Sequence, residues 1–139
     1  MSFRKNIYYD NDDMYVDIDE GEILFREGDY GEEMFFIITG KVKVYLEKDG
    51  QDIVLNDLKE GDFFGEMSLL EGVKRSANVK ATEKTTLQVI DKKGFEVLLD
   101  DTPLIIRKIL KGLSSRLRSG NERLNRLINV LDYIRRFYN

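Results

Sequence analysis

Hydrophobic and polar residues alternate with a period of two in several short stretches of the first 90 residues, and glycines separate these stretches. The pattern is typical of short antiparallel strands. It is clearest in "KVKVYLEKDGQDIVL", which begins at residue 41 and places Tyr45 on the face opposite three hydrophobic residues: Val42, Val44 and Leu46. Asp49-Gly50 follows and supplies the positive φ angles that a tight hairpin turn needs. This stretch therefore predicts a β-hairpin.

Further strands are predicted on both sides of this hairpin, in "MYVDI", "EILFREGD", "EMFFIITG", "SANVKAT" and "TTLQVID". Strands at this spacing suit a small barrel or jelly roll, which we expect to occupy about residues 14–91. One interruption, "EMSLLEG", has no β-branched residue and ends on Gly72, which is suited to cap a helix. We predict one or two helical turns there.

Two helices are predicted for the rest of the chain, residues 92–139. "KKGFEVLLDD" favours a short helix, and a long one then runs from about Pro103 to Arg136, with Thr102 as its N-cap and proline at its first position. Hydrophobic residues recur alternately four and three positions apart from residue 106 to residue 138, and only Gly120 breaks the series.

This apolar stripe is longer than one small barrel can cover, because the predicted helix would be roughly 50 Å long. A partner helix would cover it, and homodimerisation is the simplest way to provide one. The alternative is that Ser119-Gly120 ends one helix and begins another, and that both fold back on the barrel.

The composition excludes several classes of site. The chain of 139 residues is expected to be one domain, and it contains neither cysteine nor histidine. Disulfides, thiol chemistry, histidine-based hydrolytic triads and zinc sites are thereby disfavoured, so we expect no enzyme, no metal and no cofactor. The N-terminus lacks the apolar core of a signal peptide, and no run approaches the length of a membrane span. We expect a cytoplasmic protein that does not contact a membrane.

Charge is distributed unevenly along the chain. The segment from Thr102 to the end carries a net +7, whereas the net charge of the whole chain is −4, so the remainder carries −11. A basic segment of this kind can bind nucleic acid or another acidic partner. It can equally be the solvated face of a helix rich in Arg and Lys, and both interpretations stay open.

The stretch "FGEMSLLEGVKRSA" (residues 64–77) carries the candidate chemistry. A short helix after Gly65 presents unpaired backbone N–H groups, which favour an anion such as phosphate. The guanidinium of Arg75, from the following loop, can add charge-assisted hydrogen bonds to the same anion. If the ligand also carries a ribose, the carboxylate of Glu66 can accept hydrogen bonds from its hydroxyl.

These residues resemble the phosphate-binding cassette of the cyclic nucleotide-binding domain family, which includes catabolite activator proteins, regulatory subunits of cyclic-AMP-dependent kinase, and cyclic-nucleotide-regulated channels. The pattern F-G-E-x-x-L, five residues, R-x-A is matched by Phe64, Gly65, Glu66, Leu69, Arg75 and Ala77. Glycines in "EGEILFREGDYGEEMFFIITGKVKV" and "LKEGDFFGE" are similar to those of the family. The resemblance runs from about residue 14 to the end of the long helix.

The resemblance implies an eight-stranded antiparallel jelly-roll barrel, mainly β with α, that holds a 3′,5′-cyclic nucleotide. It implies that Arg75 contacts the cyclic phosphate and that Glu66 contacts the ribose hydroxyl. Ser76 is similar to family members with a hydroxyl after the arginine and leaves cAMP and cGMP both open, with cAMP slightly preferred. The backbone amides of the cassette would complete the phosphate cradle. The candidate ligand-binding residues are Phe64, Gly65, Glu66, Met67, Ser68, Arg75, Ser76, Ala77 and, from the long helix, Asn121.

The sequence therefore predicts a regulatory sensor module that binds a cyclic nucleotide and acts through its C-terminal helices on an unidentified effector protein. Its end resembles the start of a region that leads to a helix-turn-helix in related transcription factors, and we expect no sequence-specific DNA binding. The alternative is a scaffold or dimerisation module that has kept the fold without the ligand. We expect Arg75→Ala to weaken binding about ten- to a hundred-fold with the fold intact.

Overall fold

The computed structural model describes residues 3, 6–100, 103–106, 108–109 and 112. The strands are β1 (Ile7–Asp10), β2 (Asp13–Ile18), β3 (Ile23–Phe25), β4 (Met34–Thr39), β5 (Lys41–Lys48), β6 (Gln51–Lys59), β7 (Phe63–Phe64), β8 (Asn78–Ala81) and β9 (Thr85–Ile90). The helices are α1 (Glu66–Glu71) and α2 (Lys92–Asp100). No helix among these residues has the length and apolar character needed to cross a membrane.

The strands form two antiparallel sheets, in the orders β1-β2-β9-β4-β7 and β3-β8-β5-β6. This confirms the prediction of a mainly β, antiparallel, jelly-roll-like fold. Of the nine strands among the described residues, eight, β2 to β9, lie in the range of about residues 14–91 predicted for the barrel, and β1 precedes it. The additional strand forms a hairpin with β2, which turns at Asn11 and Asp12 with φ angles of 49° and 69°. Asn and Asp tolerate this left-handed conformation better than most residues.

Side chains from both sheets fill the core. In β9 the alternation is regular, since Thr85, Leu87 and Val89 are buried and the residues between them are half-buried. Burying a large hydrophobic side chain contributes roughly 1.5–3 kcal/mol each. The remaining buried members of the cluster are Phe3, Val16, Ile18, Leu24, Phe25, Phe35, Ile37, Val42, Phe64, Val79 and Ala81.

The predicted hairpin is present as β5 and β6, and its turn at Asp49 and Gly50 has φ angles of 54° and 76°. One part of that prediction is wrong. The pairing register shifts between Val44 and Tyr45, which marks a bulge, and Tyr45 is buried while Leu46 is only half-buried. A bulge adds one residue to a strand, so the alternation beyond it changes phase.

Both predicted short helices are confirmed. Gly72 ends α1 in the left-handed conformation, and its N–H donates to the carbonyl of Ser68. Residues 104–106, 108–109 and 112 are helical, and the N–H of Ile106 donates to the carbonyl of Pro103. The rest of the predicted long helix, including Thr102 and the break proposed at Ser119-Gly120, lies outside the described residues.

The chain divides into two compact units, Met1–Leu98 and Leu99–Asn139. The first unit contains all nine strands given above together with α1. The phosphate-binding cassette predicted at residues 64–77 therefore lies entirely within the first unit.

Candidate functional site

Three segments of the first unit meet around Arg75: the loop between β3 and β4, the entry to α1, and the loop between α1 and β8. Two backbone hydrogen bonds fix the position of Arg75 in the chain. Its N–H donates to the carbonyl of Asp29 at 2.9 Å, and its carbonyl accepts from the N–H of Gly28 at 2.8 Å. The side-chain oxygen of Asn78 accepts from the N–H of Glu27 at 2.8 Å. The loop after β3 is thus fastened to the end of the cassette.

The guanidinium of Arg75 is enclosed by protein. The residue is 2% exposed, its Nη1 donates to the carbonyl of Gly65 at 3.3 Å, and its Nη2 forms an ion pair with the Oε2 of Glu33, also at 3.3 Å. Its Cζ lies 4.2 Å from the centre of the Phe25 ring, within range of a cation–π interaction. Arg75 is therefore a buried, internally paired cation and not a solvated surface charge.

Two glycines leave the space that the guanidinium occupies. A Cβ atom on Gly31 would lie 2.6 Å from Nη2 of Arg75, and one on Gly65 would lie 2.8 Å from Nη1. Gly65 also has a φ of 82°, a conformation that disfavours every residue with a Cβ. Glycine is needed at residue 65 for both reasons, because the chain must turn into α1 while the arginine passes beside it.

Glu33 is the residue of this arrangement that the sequence analysis did not identify. It is buried, and its Oε2 accepts a hydrogen bond from the backbone N–H of Glu32 at 3.1 Å in addition to the contact with Arg75. The alternation of β4 contains the signal that could have found it. Glu33 lies in phase with the buried residues Phe35 and Ile37, so the same face that carries the core carries this carboxylate.

The structure brings some of the predicted site residues together. Arg75 contacts Gly65, which directly precedes Glu66, and Glu66 is half-buried at the first position of α1. Phe64 is buried and stacks on Phe35 with ring centres 5.3 Å apart. These positions agree with a compact cassette.

The other predicted residues differ in exposure. Met67 is half-buried and Ser68 is buried within α1, whereas Ser76 is exposed and Ala77 is buried after Arg75. Asn121, the predicted base contact, lies outside the described residues.

A cleft of about 500 Å³ opens beside the ion pair. Neither Glu66 nor Arg75 lines it, but Glu33 does, so the cleft meets the site on the side of the acidic partner. Its lining consists of Tyr30, Gly31, Glu32, Glu33, Gly72, Val73, Asp91, Lys92 and Lys93. Among the described residues, no group of three or more acidic side chains is placed to hold a metal ion.

Residues 15–102, which include the whole cassette, match the family model of the cyclic nucleotide-binding domain. The cyclic AMP receptor protein of Thermus thermophilus is 33% identical over 109 residues, which are 78% of this chain and 50% of that protein.

Two solved structures show the same fold. The EAL enzyme Bd1971 in its cAMP-bound form has a TM-score of 0.65 and 35% identity, over 87% of this chain and 31% of that one. Its cGMP-bound form has a TM-score of 0.65 and 34% identity, over 86% of this chain and 32% of that one. The chain spans half of the Thermus thermophilus protein and about a third of the Bd1971 chains.

Proposed function

Because the chain belongs to the cyclic nucleotide-binding domain family, we propose that it is a regulatory module that binds a 3′,5′-cyclic nucleotide. Membership confirms the resemblance inferred from the cassette sequence. In this proposal Arg75 binds the cyclic phosphate and Glu66 binds the ribose hydroxyl. The ligand is cAMP or cGMP, with cAMP slightly preferred.

One observation supports the proposal above the others: the cassette is assembled around its arginine. Arg75 contacts the carbonyl of Gly65, the last residue before α1, and Gly31 and Gly65 leave the space for its guanidinium. A protein that had lost the ligand would have no need to keep a positive charge in so enclosed a place, because burying a charge is costly. The related structures with cAMP and cGMP bound to Bd1971 give further support.

Isothermal titration calorimetry tests the proposal directly. We expect saturable binding of cAMP, cGMP or both, with one nucleotide for each chain. The open-chain nucleotide 5′-AMP and a cyclic dinucleotide are the controls, since neither offers a 3′,5′-cyclic monophosphate next to a free ribose 2′-hydroxyl. No measurable heat with either cyclic mononucleotide, in protein that unfolds cooperatively, would contradict the proposal.

A second candidate function is a scaffold or dimerisation module that needs no ligand. The ion pair of Arg75 with Glu33 favours it, because the charge of the arginine is already paired within the protein. The same titration separates the two candidates. A scaffold would form its assembly at equal strength with and without cyclic nucleotide, which analytical ultracentrifugation measures.

The proposed route from ligand to partner passes through the C-terminal helices. Ligand capture would change the position of the cassette and bias α2 and the following helix toward one of two arrangements, which an effector protein would recognise. We expect hydrogen exchange in residues 92–139 to change on saturation with the nucleotide. Unchanged exchange throughout this segment would contradict the coupling while leaving nucleotide binding intact.

Homodimerisation through the stripe of residues 106–138 is part of the same proposal. Light scattering during size-exclusion chromatography should give twice the chain mass of 16.2 kDa. A monomeric mass at high protein concentration would contradict it. Action in the cytoplasm without contact to membrane or specific DNA stays a prediction from the sequence.

A further inference from the structure

We propose that Glu33 is an internal competitor of the ligand: its carboxylate holds Arg75 away from solvent, and the nucleotide phosphate must replace it before Arg75 can bind. This inference rests on the proposed function. In the proposed function, Arg75 and Glu66 favour ligand binding. The inference adds Glu33 as a residue that opposes it.

The side chain of Arg75 is enclosed by its neighbours. Its side chain is 1% exposed, so a phosphate cannot touch the guanidinium unless one of the present neighbours gives way. Those neighbours include the backbones of Gly31 and Gly65, the rings of Phe25 and Phe35, and the carboxylate of Glu33. Among these groups the carboxylate is the anion, and a phosphate can take over its electrostatic role.

The geometry indicates which partner moves. Glu33 is held in place because its Oε2 also accepts from the N–H of Glu32 at 3.1 Å. The backbone of Arg75 is fixed by its bonds to Gly28 and Asp29, so the exchange consists of a rotation of the arginine side chain.

The geometry of the ion pair also favours replacement of the Glu33 carboxylate by a phosphate. Charge-assisted N–H···O⁻ bonds are typically about 2.7–2.9 Å long, and a phosphate can accept two of them from one guanidinium. The contact from Nη2 of Arg75 to the carboxylate of Glu33 is instead 3.3 Å, which is long for this type of bond. Glu33 lines the cleft of about 500 Å³, so water can reach its carboxylate after Arg75 has left.

Charge explains why Glu33 opposes the ligand and not merely delays it. Once Arg75 has turned to the phosphate, Glu33 has lost its ion pair with Arg75, and its negative charge repels the nearby phosphate. Both terms lower the affinity of the native protein. Glu33→Gln removes both terms, and its amide oxygen can still accept the hydrogen bond from Glu32.

The test is calorimetry with cAMP and cGMP on the native protein and on two variants of the full chain. We expect Glu33→Gln to bind about tenfold more tightly, which corresponds to ~1.4 kcal/mol. Glu32→Gln is the matched control, since Glu32 is the adjacent exposed acid and loses the same charge. Its affinity should stay within about twofold of the native value, because exposed charges are screened.

Each outcome decides the question. Equal or weaker binding by Glu33→Gln would overturn the inference. That result is expected if Glu33 only supports the structure or orients Arg75 for the ligand. An equal gain in Glu32→Gln would overturn it as well, because the effect would then be one of overall charge. A gain in Glu33→Gln alone, including binding by a variant where the native protein shows none, supports it.

Failure of the proposed function looks different. In that case neither the native protein nor any variant binds a cyclic nucleotide, and the inference falls with it. Should Glu33→Gln not fold, Glu33→Asp replaces it: the shorter side chain keeps the charge but draws back from Arg75, and a smaller gain in affinity is expected. No gain from a folded Glu33→Asp would then overturn the inference.

Discussion

Replacing Arg75 with alanine should damage stability as well as binding, which revises the expectation that this change leaves the fold intact. The substitution removes an arginine side chain that is 1% exposed, and with it the ion pair that this side chain forms with Glu33, whose side chain is 10% exposed. Removing one partner of a buried ion pair costs about 3–5 kcal/mol. The lost cation–π contact with Phe25 adds roughly 1 kcal/mol.

The lower part of that range is the better expectation, because the ion pair is long at 3.3 Å and Glu33 borders an open cleft. We therefore expect Arg75→Ala to lower the free energy of unfolding by about 3 kcal/mol. For a chain of this size the melting temperature should fall by on the order of 10 °C.

Urea unfolding followed by far-UV circular dichroism measures this, since the chain contains no tryptophan for fluorescence. The slope of the free energy against urea concentration should stay unchanged, because the folded core is the same. A free energy of unfolding within about 0.5 kcal/mol of the native value, the range of an ordinary surface substitution, would refute the reasoning.

A double-mutant cycle shows whether the loss comes from the ion pair. In a Glu33→Gln background, Arg75→Ala no longer strands a charge, so its cost should shrink by about 1–3 kcal/mol. Additive costs for the two substitutions would mean that the pair contributes nothing and that Arg75 acts through packing alone.

Other substitutions test the surroundings of Arg75 and the hairpin of β5 and β6. Gly65→Ala should weaken nucleotide binding, measured by calorimetry, more than Gly61→Ala does. Both glycines have positive φ angles, 82° and 89°, but of these two only residue 65 would place the new Cβ against the guanidinium of Arg75. Equal effects would contradict this. The hydrogen bond from Lys43 holds the pKa of Asp52 below its usual value. Asp52→Asn should therefore lower stability at neutral pH, and the difference should vanish as the pH falls through the folded-state pKa. A difference that persists in acid, in urea titrations repeated at each pH, would contradict it.

The regular parts of the fold were predictable because the alternation of residue types is local. The strands around Val16, Ile37 and Leu87 follow from it directly, and the turn at Asp49-Gly50 follows from its φ requirements. The phase beyond Val44 was not predictable, because the bulge depends on pairing with a second strand. The hairpin that turns at Asn11-Asp12 was not predicted. Its first strand, β1, is short, and the acidic residues around the turn interrupt the alternation of hydrophobic and polar residues.

The candidate site was likewise predictable only in part. The positions of Gly65, Glu66 and Arg75 within one cassette are consecutive in sequence, so spacing was enough to propose them. Glu33 comes from a segment 42 residues before Arg75, and no local pattern joins the two. Its position directly before β4, in phase with the buried residues of that strand, marks it as unusual, but only the packing of β4 against the cassette identifies its partner.

The stacking of Arg75 on Phe25 has a spectroscopic consequence. Protons that lie over the face of an aromatic ring are shielded by its ring current, and the guanidinium carbon lies 4.2 Å from the ring centre. The side-chain N–H signals of this arginine should therefore resonate upfield of those of solvent-exposed arginines, and should return downfield when the side chain turns toward a ligand. The chemical shifts of these N–H protons would thus report the position of the Arg75 side chain, without any added label, both before and after a nucleotide is added.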